Sequence, residues 1–360
     1  MEECQVTLKA PSDADPLKDI DKIIAISSCK GGVGKSTLSI HLAQELAARG
    51  KKVGVVDCDI YGPSLPTLLN INHQDILANE KGQLIPIQHN NMKVMSFGFL
   101  LGDNPAIMRG PIVTRYIHQI LLNTDWGHLD YLMIDMPPGT GDVHLTITQT
   151  IRLDGAVIIT TPHTLSLIDV ARGILMFERV RVPILGIIEN MSYFQTEDSN
   201  KKHFLFGEPS TTKLSKRFGV PTLAEIPILK NLSHLQTKVQ TNSYVQEAVD
   251  ALNQSIDKAK TRFDNIPSIS FDDKKISLSF KEGKRLEVTN FDLRLNSQDA
   301  LSVDELTGEK KLKPEDIRAD IAAKEIRPLG NYALGIQWND GHSSGIYSYE
   351  LIEEIANQRI

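Results

Sequence analysis

The sequence predicts a doubly wound α/β domain with a phosphate-binding loop, followed by a small β-rich α+β domain. Three observations carry this reading. Short runs of continuous apolar residues alternate with amphipathic stretches through most of the chain, the pattern of a mostly parallel sheet covered on both faces by crossover helices. A glycine-rich run ending in Gly34-Lys35-Ser36 stands between the first such strand and the first such helix. From Ile276 onward the apolar period falls to two and turn signals become frequent.

Taken in order, residues 1–21 form a polar tail. Buried strands are expected at Ile23–Ser28, Val53–Asp57, Val94–Phe97, Tyr131–Asp135, Ala156–Thr160, Ile184–Glu189 and Thr222–Ile226. Helices are expected at Lys35–Arg49, Ile112–Leu122, Leu165–Val180 and Thr211–Phe218, with a last one from Tyr244 to Phe263 closing a domain of residues 22–264. Residues 265–270, with Pro267, read as a linker, and 271–360 as the small domain. There, Tyr332, Leu334, Ile336 and Trp338 share one strand face, and Glu282-Gly283 and Asn339-Asp340-Gly341 mark turns.

Composition narrows the function. The 360 residues are 41% hydrophobic and 23% charged, which rules out a disordered or low-complexity chain. A net charge of -6 provides no global positive field, so neither nucleic acid nor membrane is expected as a partner, and a bound polyanion must be met locally. Three cysteines, Cys4, Cys29 and Cys58, cannot staple a fold of this length, which points to a reducing, cytoplasmic address. The acidic start does not read as a secretory signal, and its lack of Arg argues against a transit peptide.

A triphosphate chain requires converging backbone N–H groups, and Gly31, Gly32 and Gly34 with Val33 can shape such a loop at the N-terminus of the following helix. Lys35 neutralises the β and γ phosphates, the Ser36 hydroxyl can ligate Mg²⁺, and Thr37 completes the motif. Cys29 occupies the position where the usual motif starts with Gly. Lys30 cannot share the phosphate oxygens of Lys35, so it is either a solvated loop lysine or a group directed elsewhere.

Acids at strand ends complete this picture, because open α/β sheets bind ligands beyond the carboxyl ends of their strands. Asp135 is assigned to hold Mg²⁺, mainly through water, and Asp59 to orient the attacking water. Period-two geometry places Asp57 on the same side as Asp59, as a supporting acid for the metal or as a helix cap or turn residue. Asn190 can present a carboxamide to an adenine edge or simply make a turn. Pro227 can line a base pocket or stop a strand.

The run KGGVGKS resembles the deviant phosphate loop of the MinD/ParA/nitrogenase iron protein/Mrp superclass. That resemblance implies that Lys30 reaches across a dimer to the second nucleotide. DCDIYGPSLPTLL, MRGPIV, WGHLDYLMIDMPPGTGDVHLT, TTPHTLSLIDVARG and VPILGIIENMSYF are similar to successive blocks of the Mrp/ApbC iron-sulfur cluster carrier ATPases. LSVDELTG and IRPLGNYALGIQWNDGHSSGIYSYELI are similar to the domain at the N-terminus of gamma-butyrobetaine hydroxylases, a pairing that resembles the plastid branch of the family. The resemblance implies a slow, Mg-ATP-dependent homodimeric ATPase that carries or assembles [4Fe-4S] clusters, working with iron-sulfur scaffolds and apo-protein acceptors.

Most such carriers follow NMSYF with a Cys-x-x-Cys pair, whereas this chain has Gln195-Thr196-Glu197-Asp198-Ser199-Asn200. Soft thiolates are what iron-sulfur chemistry uses, so the cluster ligands are open. Cys29, Cys58 and Cys4 are weak candidates, and small buried thiols are the plainer reading of the first two. His203 and His342 read as surface or structural residues. The alternatives to carriage are an ATP-gated adaptor without a cluster and a MinD/ParA-like switch. The short, mixed C-terminus ELIEEIANQRI offers little to the latter as a membrane helix.

Overall fold

The computed structural model describes residues 16–71, 75–101, 110–162, 166–180, 182–196, 201–207, 209, 211–229, 242–263, 267–280, 283–297, 312–329, 333–342 and 345–357. The chain forms two compact units, Met1–Thr160 with Ile228–Val249 and Thr161–Pro227 with Asp250–Ile360. No helix among the described residues is long and apolar enough to cross a membrane.

In the first unit β1 (Ile23–Ser28) leads into α1 (Lys35–Ala48) and returns as β2 (Val53–Asp57). Short α2 (Leu65–Leu68), β3 (Ile87–His89), β4 (Met92–Ser96) and α3 (Phe97–Leu101) follow. Then come α4 (Gly110–Leu122), β5 (Tyr131–Pro138), α5 (Asp142–Thr150) and β6 (Gly155–Thr160). Their strands lie in the order β3-β4-β2-β5-β1-β6, all parallel except the edge pair β3 and β4. Every residue of β1, β2 and β6 is buried, which is why these strands read as unbroken apolar runs. Gly54 is required inside β2, since a Cβ there would lie 2.7 Å from Leu129 and 2.9 Å from Leu132 side-chain atoms.

The mostly parallel α/β reading holds, with local corrections. The expected strand Val94–Phe97 is shifted to Met92–Ser96, and Phe97 opens α3. The β5 strand runs three residues past Asp135 because Pro138 pairs with Ser28 across a register shift in β1.

In the second unit α6 (Ser166–Arg179), β7 (Ile184–Glu189), α7 (Thr211–Phe218) and β8 (Thr222–Glu225) continue the alternation, with β7 and β8 parallel. Helix α8 (Ser243–Phe263) divides between the two units. Beyond it, β9 (Ser268–Phe271), β10 (Lys275–Ser279) and β11 (Arg285–Thr289) form an antiparallel sheet. After α9 (Asn290–Leu295), the strands β12 (Ala323–Leu329), β13 (Ala333–Trp338) and β14 (Gly345–Ser348) form a second antiparallel sheet, and α10 (Tyr349–Asn357) follows.

Residues 268–270 of the expected linker are therefore strand, and 264–266 lie outside the described residues. Leu334, Ile336 and Trp338 are buried with Ile276, Leu278, Tyr347 and Ile352 in one core that joins both small sheets, as their alternation predicts. Tyr332 lies outside the described residues. The indole N–H of Trp338 donates to the Tyr347 hydroxyl at 3.0 Å, so this core leaves neither group unsatisfied. Gly341 takes a φ of 90° in the expected turn, a conformation that glycine adopts without strain.

Candidate functional site

The loop between β1 and α1 has the backbone an anion needs. Gly32 and Gly34 take φ of 76° and 85°, and a Cβ on Gly31 or Gly32 would meet no atom within 4 Å. Gly34 is the N-cap of α1, with no side-chain cap and no acid in the first helical turn, so nothing acidic competes for the helix N-terminus. Val33 is buried, while Cys29, Lys30, Ser36 and Thr37 are half-buried. The Ser28 hydroxyl donates to the Lys30 carbonyl at 2.9 Å, tying the start of the loop to the strand before it.

Lys35 turns inward from the first turn of α1. Its Nζ contacts Asp135 Oδ1 at 2.7 Å and Ser36 Oγ at 3.2 Å, with Lys35 7% and Asp135 0% exposed. The Ser39 hydroxyl donates to the same Asp135 oxygen at 2.8 Å. Asp135 Oδ2 is buried with no partner. Oδ1 is matched by the lysine and the serine, so the unpartnered Oδ2 is the carboxylate atom here that could take a cation or its water.

Asp57 behaves differently from the supporting metal acid expected of it. Its Oδ1 accepts the Asp59 N–H at 3.0 Å. Its Oδ2 accepts the Ser64 and Leu65 N–H groups at 2.9 and 3.1 Å and the Ser96 hydroxyl at 3.1 Å. Four donors fill the acceptor capacity of a carboxylate, which gives Asp57 the cap-and-turn role and leaves it no lone pair for a cation. Burial, then the Asp135 charge, pushes its carboxyl up to about 7, against the Leu65 and Asp59 N–H groups and the Lys35 charge.

β2 ends at Asp57, so the alternation that would align Asp59 with it stops there. Asp59 is half-buried in the following loop, and its Oδ1 accepts the Tyr61 and Gly62 N–H groups at 3.2 and 3.1 Å. Cys58 between them is fully buried, and burial, followed by the Asp57 and Asp135 charges, pushes its thiol well above the ordinary range. Cys4 lies outside the described residues.

One residue of this site went unnoticed in the sequence. His144, on the first turn of α5, is 1% exposed, and its Nε2 is buried without a partner. Burial, then the Lys35 charge, lowers its imidazole to about 4, against a hydrogen bond to the Pro137 backbone. Val143, Leu145 and Ile147 alternate as in a strand, which hid both the helix and its buried face.

In the second unit, Asn190 and Pro227 are both buried, just beyond the ends of β7 and β8. The Ser192 and Ile226 backbones tie these ends together through Ser192 N–H to the Ile226 carbonyl and Ile226 N–H to the Glu189 carbonyl, at 2.9 and 2.8 Å. Where carriers of the resembling family place a Cys pair, Phe194 and His203 make an antiparallel bridge, and Phe194, Phe204, Leu205 and Phe206 are exposed. Residues 197–200 there lie outside the described set. His342 is buried beside Asp340, which pairs with Arg294 at 2.9 Å and accepts the His342 N–H. Both facts agree with a structural role.

Comparison with known proteins places this geometry. Residues 19–262 match the ParA-type family described as NUBPL iron-transfer P-loop NTPase, and residues 268–353 match the family described as gamma-butyrobetaine hydroxylase-like, N-terminal. The chloroplastic Fe-S cluster assembly factor HCF101 of Arabidopsis thaliana is 41% identical over 358 residues, covering 94% of this chain and 65% of its own length. The chain thus spans somewhat less than two thirds of that plant relative. The iron-sulfur cluster transfer protein NUBPL of Dictyostelium discoideum is 44% identical over 229 residues, 63% of this chain and 69% of its own. A nucleotide-binding protein of Archaeoglobus fulgidus, solved in complex with ADP, superposes with a TM-score of 0.56 at 35% identity over 68% of this chain and 93% of its own.

Proposed function

Because the chain belongs to the NUBPL iron-transfer P-loop NTPase family, we propose that it hydrolyses Mg-ATP as a homodimer and uses that cycle to carry or assemble iron-sulfur clusters for apo-protein acceptors. The observation that carries the ATPase part is the buried Lys35 ammonium on Asp135 Oδ1, beside an Asp135 Oδ2 that has no partner. Lys35 is already desolvated at the N-terminus of α1, where phosphate oxygens can compete with Asp135 for it. The space above Gly31 and Gly32 lets the backbone approach those oxygens.

Ser36, and Asp135 through water, would hold Mg²⁺, which supplies neutralisation of the phosphate charge when bound. Asp59 orients the attacking water from a loop that Asp57 holds in place. Lys30 serves the nucleotide of a second copy, and Asn190 and Pro227 serve the adenine end. The division into an ATPase domain of residues 22–264 and a small docking domain belongs to the same proposal, supported by the bounds of the two family matches. So does the cytoplasmic address read from cysteine usage.

A second reading, an ATP-gated adaptor without a cluster, is favoured by Cys58, whose buried thiol with a raised pKa is a poor source of the thiolate that iron binds. The ATPase part is tested by phosphate release from the full chain and from Lys35→Ala with Mg-ATP. Slow release by the parent and background release by the variant are expected. Equal release from both would overturn the assignment of this site.

A further inference from the structure

The connection from β5 to α5 is tied at three points. The Gly139 N–H donates to the Ser28 carbonyl at 2.8 Å, fixing the connection to the end of β1, where the Ser28 hydroxyl in turn holds the Lys30 carbonyl at 2.9 Å. The His144 N–H closes onto the Gly141 carbonyl at 3.0 Å, starting α5. The third tie is the His144 ring, which bonds the Pro137 backbone two residues beyond Asp135.

Nε2 has no partner, so the donor to Pro137 is Nδ1–H, and Nε2 is left as a lone-pair acceptor inside the protein. The ring is 1% exposed, and it stands on the first turn after a connection that Gly139 ties to Ser28, the residue whose hydroxyl holds the phosphate loop at Lys30. Native structures rarely keep a buried acceptor unmatched, and where one persists the missing donor often arrives with a ligand or a water.

We propose that His144 is a positioning residue for nucleotide hydrolysis: its Nδ1–H fixes the Pro137 carbonyl and with it the 137–142 connection, and its Nε2 accepts a hydrogen bond from a water of the phosphate site. The proposal rests on the ATPase reading and goes beyond it, because Lys35, Ser36, Asp59 and Asp135 account for charge and metal, whereas the His144 ring adds to the Gly139 tie a second hold on the connection that follows Asp135. His144 stays neutral at working pH, so its contribution is hydrogen-bond direction and not a proton. Gly139, at a φ of 98°, lets the chain make the tight turn that brings the ring back towards Pro137.

Two full-chain variants separate this role from simple packing. His144→Phe fills the ring space without either hydrogen bond, whereas His144→Gln keeps a donor for Pro137 and an acceptor for water. With Mg-ATP, the Phe variant is expected to lose about tenfold or more in kcat with KM for ATP within about threefold of the parent, and the Gln variant to recover most of the loss. A Phe variant with the parent's kcat, a rise in KM alone, or a Gln variant no better than Phe would overturn the role of His144. If the Phe variant does not fold, His144→Asn, too short to reach both partners, replaces it against Gln with the same outcomes. A parent that releases no phosphate overturns the ATPase reading itself and this role with it, whereas a turning-over parent matched by the Phe variant overturns this inference alone.

Discussion

The phosphate site at the ends of β1, β2 and β5 and the turn after β7 are built from opposite materials. The first gathers Lys35, Asp57, Asp135 and His144 in nearly complete burial, with Lys35, Asp57 and Asp135 Oδ1 tied by hydrogen bonds and Asp135 Oδ2 and His144 Nε2 left without a partner. The second exposes Phe194, Phe204, Leu205 and Phe206, ordered by an edge-on contact of Tyr193 with Phe204 and by the Lys202 ammonium 4.1 Å above the Tyr193 ring. A buried charge is kept only where its chemistry is used or matched, which is why Lys35 and Asp135 stand as a pair. The turn carries no thiol, its sequence running Gln195-Thr196-Glu197-Asp198-Ser199-Asn200 after Phe194. On the proposed function, nucleotide chemistry and cargo chemistry therefore draw on different parts of the chain.

The largest effect that would break this comparison is at Lys35. Besides abolishing turnover, Lys35→Ala leaves Asp135 as a buried charge without its cation, so a loss of about 3–5 kcal/mol in unfolding free energy is expected by urea titration. An unchanged midpoint would mean that the pair contributes nothing to the fold.

Glu178 on α6 sharpens the same point, because it is a buried carboxyl outside the site with both oxygens unpartnered, and burial alone holds it up at about 8 from 4.5. The folded chain then keeps a proton that the unfolded chain releases, so stability is full below about 4.5 and falls as pH rises towards 8. Glu178→Gln removes the fall, making the variant more stable by on the order of 4 kcal/mol at pH 8, with the gap closing towards acid. A gap independent of pH would show that Glu178 does not titrate in this range.

Asp59→Ala should keep ATP binding while kcat falls on the order of a hundredfold, since a group that orients water acts mainly in the transition state. A collapse of affinity with kcat unchanged would make Asp59 a loop residue like Asp57. Smaller again is the effect at Lys30: sedimentation with a non-hydrolysable ATP analogue should show a dimer that Lys30→Ala weakens by about tenfold. A monomer in every condition would remove the shared-nucleotide dimer.

The strands and helices that position this site were legible because each is long and buried. Ile23–Ser28, Val53–Asp57 and Ile184–Glu189 are strands at the expected residues, and Lys35 opens the expected helix. What was not legible is short or carries the wrong period. The β3 edge has three residues and α2 has four, too few to show any periodicity. α5 alternates Val143, Leu145 and Ile147 like a strand, yet buries His144 and Ile147 on one helical face. The loop's backbone was legible because glycines at that spacing ask for the positive φ that Gly32 and Gly34 adopt before the helix opens at Lys35. Asp57 could not, because metal ligand and loop cap ask for the same carboxylate, and only the four donors around it decide between them.

Whether cargo remains attached to this machinery is tested most directly by anaerobic reconstitution of the full chain with iron and sulfide, with iron content and absorbance measured beside a variant whose Cys4, Cys29 and Cys58 are all Ser. Cys58 is buried, so Cys29, next to Lys30 in the phosphate loop, and Cys4 would have to supply the thiolates, pooled between two copies. The account predicts a labile cluster in the parent, shared between subunits, that the variant cannot hold. Equal iron in both chains, or none in either, would contradict cysteine-held carriage and leave an ATP-gated adaptor.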